Sequence, residues 1–204
     1  MNKISVYTDG SCLNNGKKNS VGSIGVFFSD DDSDNCGQLI DNEGNKITNQ
    51  TMELIACIRA LQIIIEKISR DNLNVSSLMV YVYTDSSYVI NCMTKWYNVW
   101  IKNDWKNSKG KDVENRELIE QLFLLKSKYI TIFKHVRSHE SEPTNKNCQE
   151  YKSWYGNYMA DKLATDISRE YLRNLEDKED GDIDNQATKK KKVSKKKVRD
   201  SLNV

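Results

Sequence analysis

The chain has no long apolar run, and its opening residues, MNKISVYTDG, carry no signal-peptide pattern. Nothing in it therefore indicates a membrane span or secretion. Its five cysteines (Cys12, Cys36, Cys57, Cys92, Cys148) contain no Cys-x-x-Cys pair and form no even framework. That pattern argues against a disulfide scaffold and for reduced thiols in an intracellular protein. The sequons Asn49-Gln50-Thr51 and Asn74-Val75-Ser76 then have no meaning as glycan sites. No charge of one sign dominates: 31 basic and 29 acidic residues leave a net +2. Nor is there a duplicated domain. VYTDGS at Val6–Ser11 returns as VYTDSS at Val82–Ser87, yet the residues after each copy share nothing. The repeat is local, as if two positions shared one chemical need.

The charges are segregated at the C-terminus. Glu176 to Asp184 is almost all acid, and Lys189 to Arg199 has no acid at all. Apolar periodicity has ended by then. This reads as one domain over residues 1–175, large enough for a core, followed by an acidic-then-basic disordered tail over 176–204. The lysine run has three readings: a nuclear import signal, a nucleic-acid tether, or a solubility tail.

Within the domain, sheet and helix signals alternate. Ile4–Thr8, Gly22–Phe28 and, more weakly, Gly37–Ile47 read as an antiparallel meander. Leu54, Ile58, Leu61, Ile65 and Ile68 form one helical stripe within residues 52–68. Leu78–Thr84 has the nearly continuous apolar character of a buried central strand. Helices over Ser87–Met93, Thr94–Trp105 and Arg116–Lys126, a strand over Tyr129–Val136, and a closing helix through Ala160, Leu163, Ala164, Ile167 and Tyr171 complete the pattern. A helix between two strands implies a right-handed crossover and parallel pairing. The fold class is α/β, a mixed sheet with helices packed on it.

Both copies of the repeated string end a strand and place an aspartate, Asp9 or Asp85, where the chain leaves the sheet. Open α/β sheets put their sites there. Either pair alone reads as well as a turn former. Glu53 lies beside Leu54 on the apolar stripe and so points toward the sheet. Asp161 lies between Ala160 and Leu163 at the start of the last helix. Each alone reads first as an acid near a helix N-terminus. Together they make four carboxylates at one edge, which repel unless cations neutralise them. Hard oxygen ligands suit magnesium or manganese, and two such ions can clamp a phosphate. Asp30, Asp32 and Asp34 imitate the start of a calcium loop, but position six is Asn35, position twelve is Asp41, and flanking helices are missing. They read as a solvated hairpin loop.

YTDGS, TNQTMEL, YTDSSYV, HVRSH and GNYMADKLA, in that order over residues 3–173, resemble ribonuclease H type 1. The resemblance implies a mixed five-stranded sheet flanked by helices. It also implies an endoribonuclease that hydrolyses the RNA strand of RNA–DNA hybrids with two Mg2+ ions, for which Mn2+ substitutes. By resemblance Asp9, Glu53, Asp85 and Asp161 are metal ligands, and His139 is a mobile catalytic histidine, with His135 structural. The 20 or so residues between His139 and Asp161 read as an enlarged loop, able to touch substrate through Lys146, Lys152 and Trp154 or to be a surface insertion. Asn15, Asn49 and Gln50, with backbone atoms of Cys12 and Met52, match positions that read 2′-hydroxyls in a shallow minor groove. Trp96, Trp100 and Ser108 match a basic protrusion on the DNA strand. Thr48 and Asn115 match a DNA-phosphate pocket, with Lys46 as its basic partner. The N-terminus leaves no room for a separate hybrid-binding domain, and the expected species is a monomer. The competing reading is a non-catalytic hybrid-binding module of the same fold.

Overall fold

The computed structural model describes residues 2–15, 20–41, 46–75, 78–138 and 140–200, with side chains among these from 3 to 175. His139, Gly44 and the side chains of the Lys189–Arg199 run lie outside the described residues. Two units are distinguished, Met1–Ser168 and Arg169–Val204.

The first unit is built on five strands: β1 (Asn2–Leu13), β2 (Val21–Phe27), β3 (Cys36–Ile40), β4 (Leu78–Thr84) and β5 (Ile130–His135). Their order is β3-β2-β1-β4-β5. β1, β2 and β3 pair antiparallel, whereas β4 is parallel to both β1 and β5. The mixed five-stranded sheet expected from the sequence is thus present. β4 lies between two partners, and its residues alternate between buried and half-buried, Leu78, Val80, Val82 and Thr84 being inside.

Each face of the sheet has its own cover. Val6, Val26, Val80 and Val82 meet Leu54, Ile58, Leu61, Ile64 and Ile68 of α1 (Asn49–Arg70) in the main core. Each such side chain contributes about 1.5–3 kcal/mol of burial. On the other face Tyr7 and Phe27 pack on Ala160 of α5 (Gln149–Asp200). Period-two alternation along β1 therefore sends Val6 to one helix and Tyr7 to the other. α2 (Ser87–Asn91), a π-helical turn (Cys92–Trp96) and α3 (Tyr97–Lys102) form one helical run, and α4 (Arg116–Lys126) packs beside α1.

Several boundaries differ from expectation. α1 begins at Asn49, three residues early, because Thr48 and Thr51 exchange side-chain-to-backbone bonds as a capping box. Asn49 and Gln50 are first-turn helical residues, not loop residues, and Glu53 lies one turn inside. β1 runs on to Leu13 through its pairing with β2, so Asp9 is within a strand and not past its end. The helix expected to reach Trp105 stops at Lys102. Asp104 and Trp105 take left-handed φ values of 50° and 55°, which turn the Trp105 ring into the core, where it is 7% exposed.

The largest difference concerns α5. It starts at Gln149, capped at its N-terminal end by the Tyr151 N–H donating to Cys148 Sγ at 3.3 Å. Asp161 is thus three turns inside the helix, and more than half of the expected His139–Asp161 loop is helical. The helix runs on to Asp200.

The aspartate loop is also different from expectation. Asp32 and Asp34 are held by the last turn of α1: Lys67 Nζ donates to Asp32 at 2.9 Å and to Asp34 at 2.7 Å. Arg70 donates to both oxygens of Asp34 at 2.7 and 3.0 Å. These aspartates are a clasp between the hairpin and α1, half-buried and not solvated.

Candidate active site

Parallel pairing sets Val6 opposite Val82 and Tyr7 opposite Tyr83, so the two VYTD strings lie side by side in register. Thr8 and Thr84 follow, both fully buried. The strands then part. β1 continues along β2, while β4 ends and Ser86 caps α2 through its hydroxyl. Asp9 and Asp85 stand at this fork, at the point where strand connections diverge and a cleft opens.

Two glycines beside Asp9 let helices close on it. A Cβ on Gly10 would lie 2.3 Å from the backbone of Met52 and Glu53, so only glycine admits α1 this near β1. Gly25 is the ladder partner of Asp9, and a Cβ there would lie 2.0 Å from the Ala160 carbonyl. The first glycine brings Glu53 to the cleft from α1. The second brings Asp161, the residue after Ala160, from α5.

One carboxylate oxygen from each of Asp9, Glu53 and Asp85 lies within 4.8 Å of the others. Asp161 is exposed on the wall of the same cleft, whose volume is about 460 Å³. Burial, then the charges of Asp85 and Asp161, push the Asp9 carboxyl up to about 7. Burial first, then Asp9 and Asp85, push Glu53 well above the usual carboxylate range, although hydrogen bonds from the Thr84 hydroxyl and the Gly10 amide oppose this. Glu53 Oε2 is buried with no hydrogen-bond partner among the described residues. A buried carboxylate oxygen without a partner among the described residues, where three acids converge, fits a divalent cation. Hard oxygen donors are the ligands such ions select.

The expected substrate residues divide into groups. Cys12 and Asn49 line the cleft with the carboxylates. Asn15, beside the Cys12 thiol at 3.8 Å, and Gln50 are exposed nearby in sequence. Trp96 and Trp100 form a second cluster, with ring centroids 5.5 Å apart and Trp96 38% exposed. Asn115, at a left-handed φ of 60°, joins that cluster by donating its amide to Tyr88 Oη at 3.2 Å, and the Tyr88 ring meets Trp96 edge-on. Thr48 caps α1. Lys46 and Ser108 are exposed and outside the cleft lining. His135 Nε2 lies 3.1 Å from the Asp85 carbonyl oxygen, a structural placement at the end of β5.

Sequence reasoning missed Asn157 and Tyr158, which line the cleft together with Trp154. Asn157 is buried, and its Oδ1 also lacks a partner among the described residues. It precedes Asp161 by one helical turn, a spacing that carries meaning only once α5 is known to reach back past it.

The RNase H family model matches residues 1–169. Ribonuclease H of Clostridium botulinum (strain Hall) is 32% identical over 172 residues, covering 84% of this chain and 99% of the relative. Ribonuclease H of Chlorobium luteolum is 34% identical over 149 residues, 72% of this chain and 91% of the relative. In three dimensions the fold is similar to that of LC9-RNase H1, a type 1 RNase H, with a TM-score of 0.57 at 21% identity over 82% of this chain and 72% of that one. On the match over residues 1–169 and the relatives covered almost end to end, the chain belongs to the RNase H family.

Proposed function

We infer that this chain is a metal-dependent endoribonuclease that hydrolyses the RNA strand of RNA–DNA hybrids in the cleft between β1 and β4. The observation that carries the reading is the carboxylate cluster itself. Asp9, Glu53 and Asp85 converge within 4.8 Å, with a buried Glu53 oxygen left unbonded. We propose that Asp9, Glu53, Asp85 and Asp161 hold two Mg2+ ions, with Mn2+ able to replace them. When bound, such ions neutralise the cluster, activate water and stabilise the leaving oxygen.

The chain's own residues position the duplex. Asn15, Asn49 and Gln50, with the backbone of Cys12, offer hydrogen bonds to 2′-hydroxyls, which only the RNA strand presents in the minor groove. Trp96 and Trp100 pack against deoxyribose of the other strand, where an added hydroxyl would be desolvated without a partner. Ser108 extends that contact, and Thr48, Asn115 and Lys46 take one DNA phosphate. His139 assists proton transfer or product release. The working unit is a monomer whose residues 1–175 suffice for the chemistry, with 176–204 adding a salt-sensitive hold on nucleic acid.

A non-catalytic binding module would tolerate loss of a carboxylate, whereas all four acids are present. Incubation of the protein with hybrid, double-stranded RNA and double-stranded DNA separates the readings. RNA cleavage confined to the hybrid, present in magnesium and absent in chelator, is expected. Binding without cleavage under all conditions would favour the binding module.

A further inference from the structure

The start of α5 carries a row of rings that the proposed chemistry does not use. Tyr151 and Tyr155 are parallel within 5°, their centroids 5.9 Å apart. Tyr151 meets Trp154 at 5.8 Å, and Trp154 and Tyr158 are parallel within 7° at 5.6 Å. The row is anchored at both sides. Tyr155 Oη donates to Asp30 at 2.6 Å, and the Trp154 indole N–H donates to the Glu140 carbonyl at 2.9 Å. Trp154 and Tyr158 line the same cleft as Asp9, Asp85 and Asp161, while Tyr158 is 48% exposed. The row thus leads from the carboxylates outward.

Its surroundings are not those of a phosphate site. Lys146 sits over Tyr151 at 5.8 Å but pairs with Glu142 at 3.5 Å, and Arg137 pairs with Glu140 at 3.2 Å. Both of these cations are thus offset by an acid, and Tyr158 keeps exposed ring surface. Flat faces select bases over phosphates. A base inside a duplex has its faces covered by neighbours, so beyond the end pair a ring can stack only on a base that is unpaired.

Resting on the hybrid-nuclease reading, we propose that the Trp154–Tyr158 pair is a stacking subsite for unpaired nucleotides of the RNA strand where that strand leaves the hybrid. The enzyme then favours hybrids that end in a single-stranded RNA extension over blunt ones. Fixed, preoriented rings suit this role because little freedom is lost on stacking.

The test compares affinities in chelator for a blunt hybrid and for the same hybrid with four unpaired nucleotides added to the RNA strand, at the 5′ or the 3′ end. One of the two extensions should tighten binding by about tenfold, a typical effect of base–aromatic stacking. An abasic extension should give no gain. The ratio of extended to blunt affinity should fall to about one in Tyr158→Ala and Trp154→Ala. It should persist in Tyr158→Phe, and in Trp154→Phe, which keeps a ring but loses the bond to Glu140. If Trp154→Ala fails to fold, the exposed Tyr158 still provides the test. A ratio near one for both extensions in the wild type would overturn the proposal, as would a ratio unchanged in Tyr158→Ala. Because the readout is a ratio, it is separate from the parent reading, which fails if the blunt hybrid is neither bound nor cut in magnesium.

Discussion

Tyr7 and Tyr83 face each other across β1 and β4, their rings stacked 4.7 Å apart at 22°. This contact accounts for the repeated string. Tyrosines in matching positions of parallel neighbours stack, the threonines after them bury together, and the aspartates after those emerge at the fork as a pair. The local repeat is the register of the sheet written twice in the chain.

The stacked register implies a conflict between stability and function. Asp9 titrates near 7 because burial and the Asp85 and Asp161 charges raise it, and Glu53 is raised likewise. A carboxyl raised in the folded state contributes stability below its unfolded value near 4, and that contribution is lost as pH rises through about 7. The metal-free protein should therefore lose stability over that window. Magnesium should raise Tm more at pH 8 than at pH 5, as seen in thermal scans. Equal increments at the two pH values would contradict the electrostatic account.

Gly10→Ala tests the close approach of α1. The new methyl meets backbone, not a flexible side chain, so α1 must move. A cost of about 1–3 kcal/mol is expected from overpacking. Because Glu53 moves with the helix, hydrolysis should drop by more than the loss of folded protein explains. The comparison is specific activity at a temperature where the variant is fully folded by circular dichroism. Unaltered activity would mean that Glu53 does not need this approach.

The aspartate clasp predicts acid lability. Hydrogen bonds from Arg70 and then Lys67 hold the Asp34 carboxyl well below the usual range. A depressed pKa stabilises above the unfolded value near 4, and the effect is lost as pH falls toward the folded value. Wild type should thus lose stability between about pH 4 and pH 2 more steeply than Asp34→Asn, with the two curves converging at the acid end. Denaturant midpoints across that range measure it.

Trp96→Ala should weaken binding to the hybrid more than it slows cleavage at saturation. It should also narrow the preference for hybrid over double-stranded RNA. Trp105, the third tryptophan of that segment, should behave otherwise: it is core, and Trp105→Ala should cost about 3–5 kcal/mol of stability. Titrations and melting curves of the two variants separate platform from core.

The regular parts of this fold were legible because apolar residues are dense there. β4 and α4 coincide with the expected bounds, since every second residue of LMVYVYT and the Leu118–Leu122–Leu125 face report their surroundings. Boundaries set by polar contacts were not legible. α1 starts on polar Asn49, and its capping box uses Thr51 where glutamate or glutamine is the usual signal. β1 is extended through GSCL by pairing alone. The first turns of α5 carry aromatic residues that pack on one another and, through Tyr155, on Phe27, not on the main core. The convergence of Asp9, Glu53 and Asp85 was legible from the repeated string and the α1 stripe, although Asp9 proved to lie within β1 and Asp161 well inside α5. Asn157 was not, because its place depends on where α5 begins.

The most direct measurement is the Asp9→Asn protein assayed two ways. Asp9 is the buried member of the cluster, and burial, then the Asp85 and Asp161 charges, push its carboxyl up to about 7. Hybrid affinity in calcium should match wild type within a few-fold, while magnesium-dependent cleavage of the RNA strand should fall by at least about 1,000-fold. Substantial magnesium-dependent turnover in Asp9→Asn, or wild-type cleavage that survives a chelator, would contradict the claim that these carboxylates form a cation-dependent hydrolytic centre.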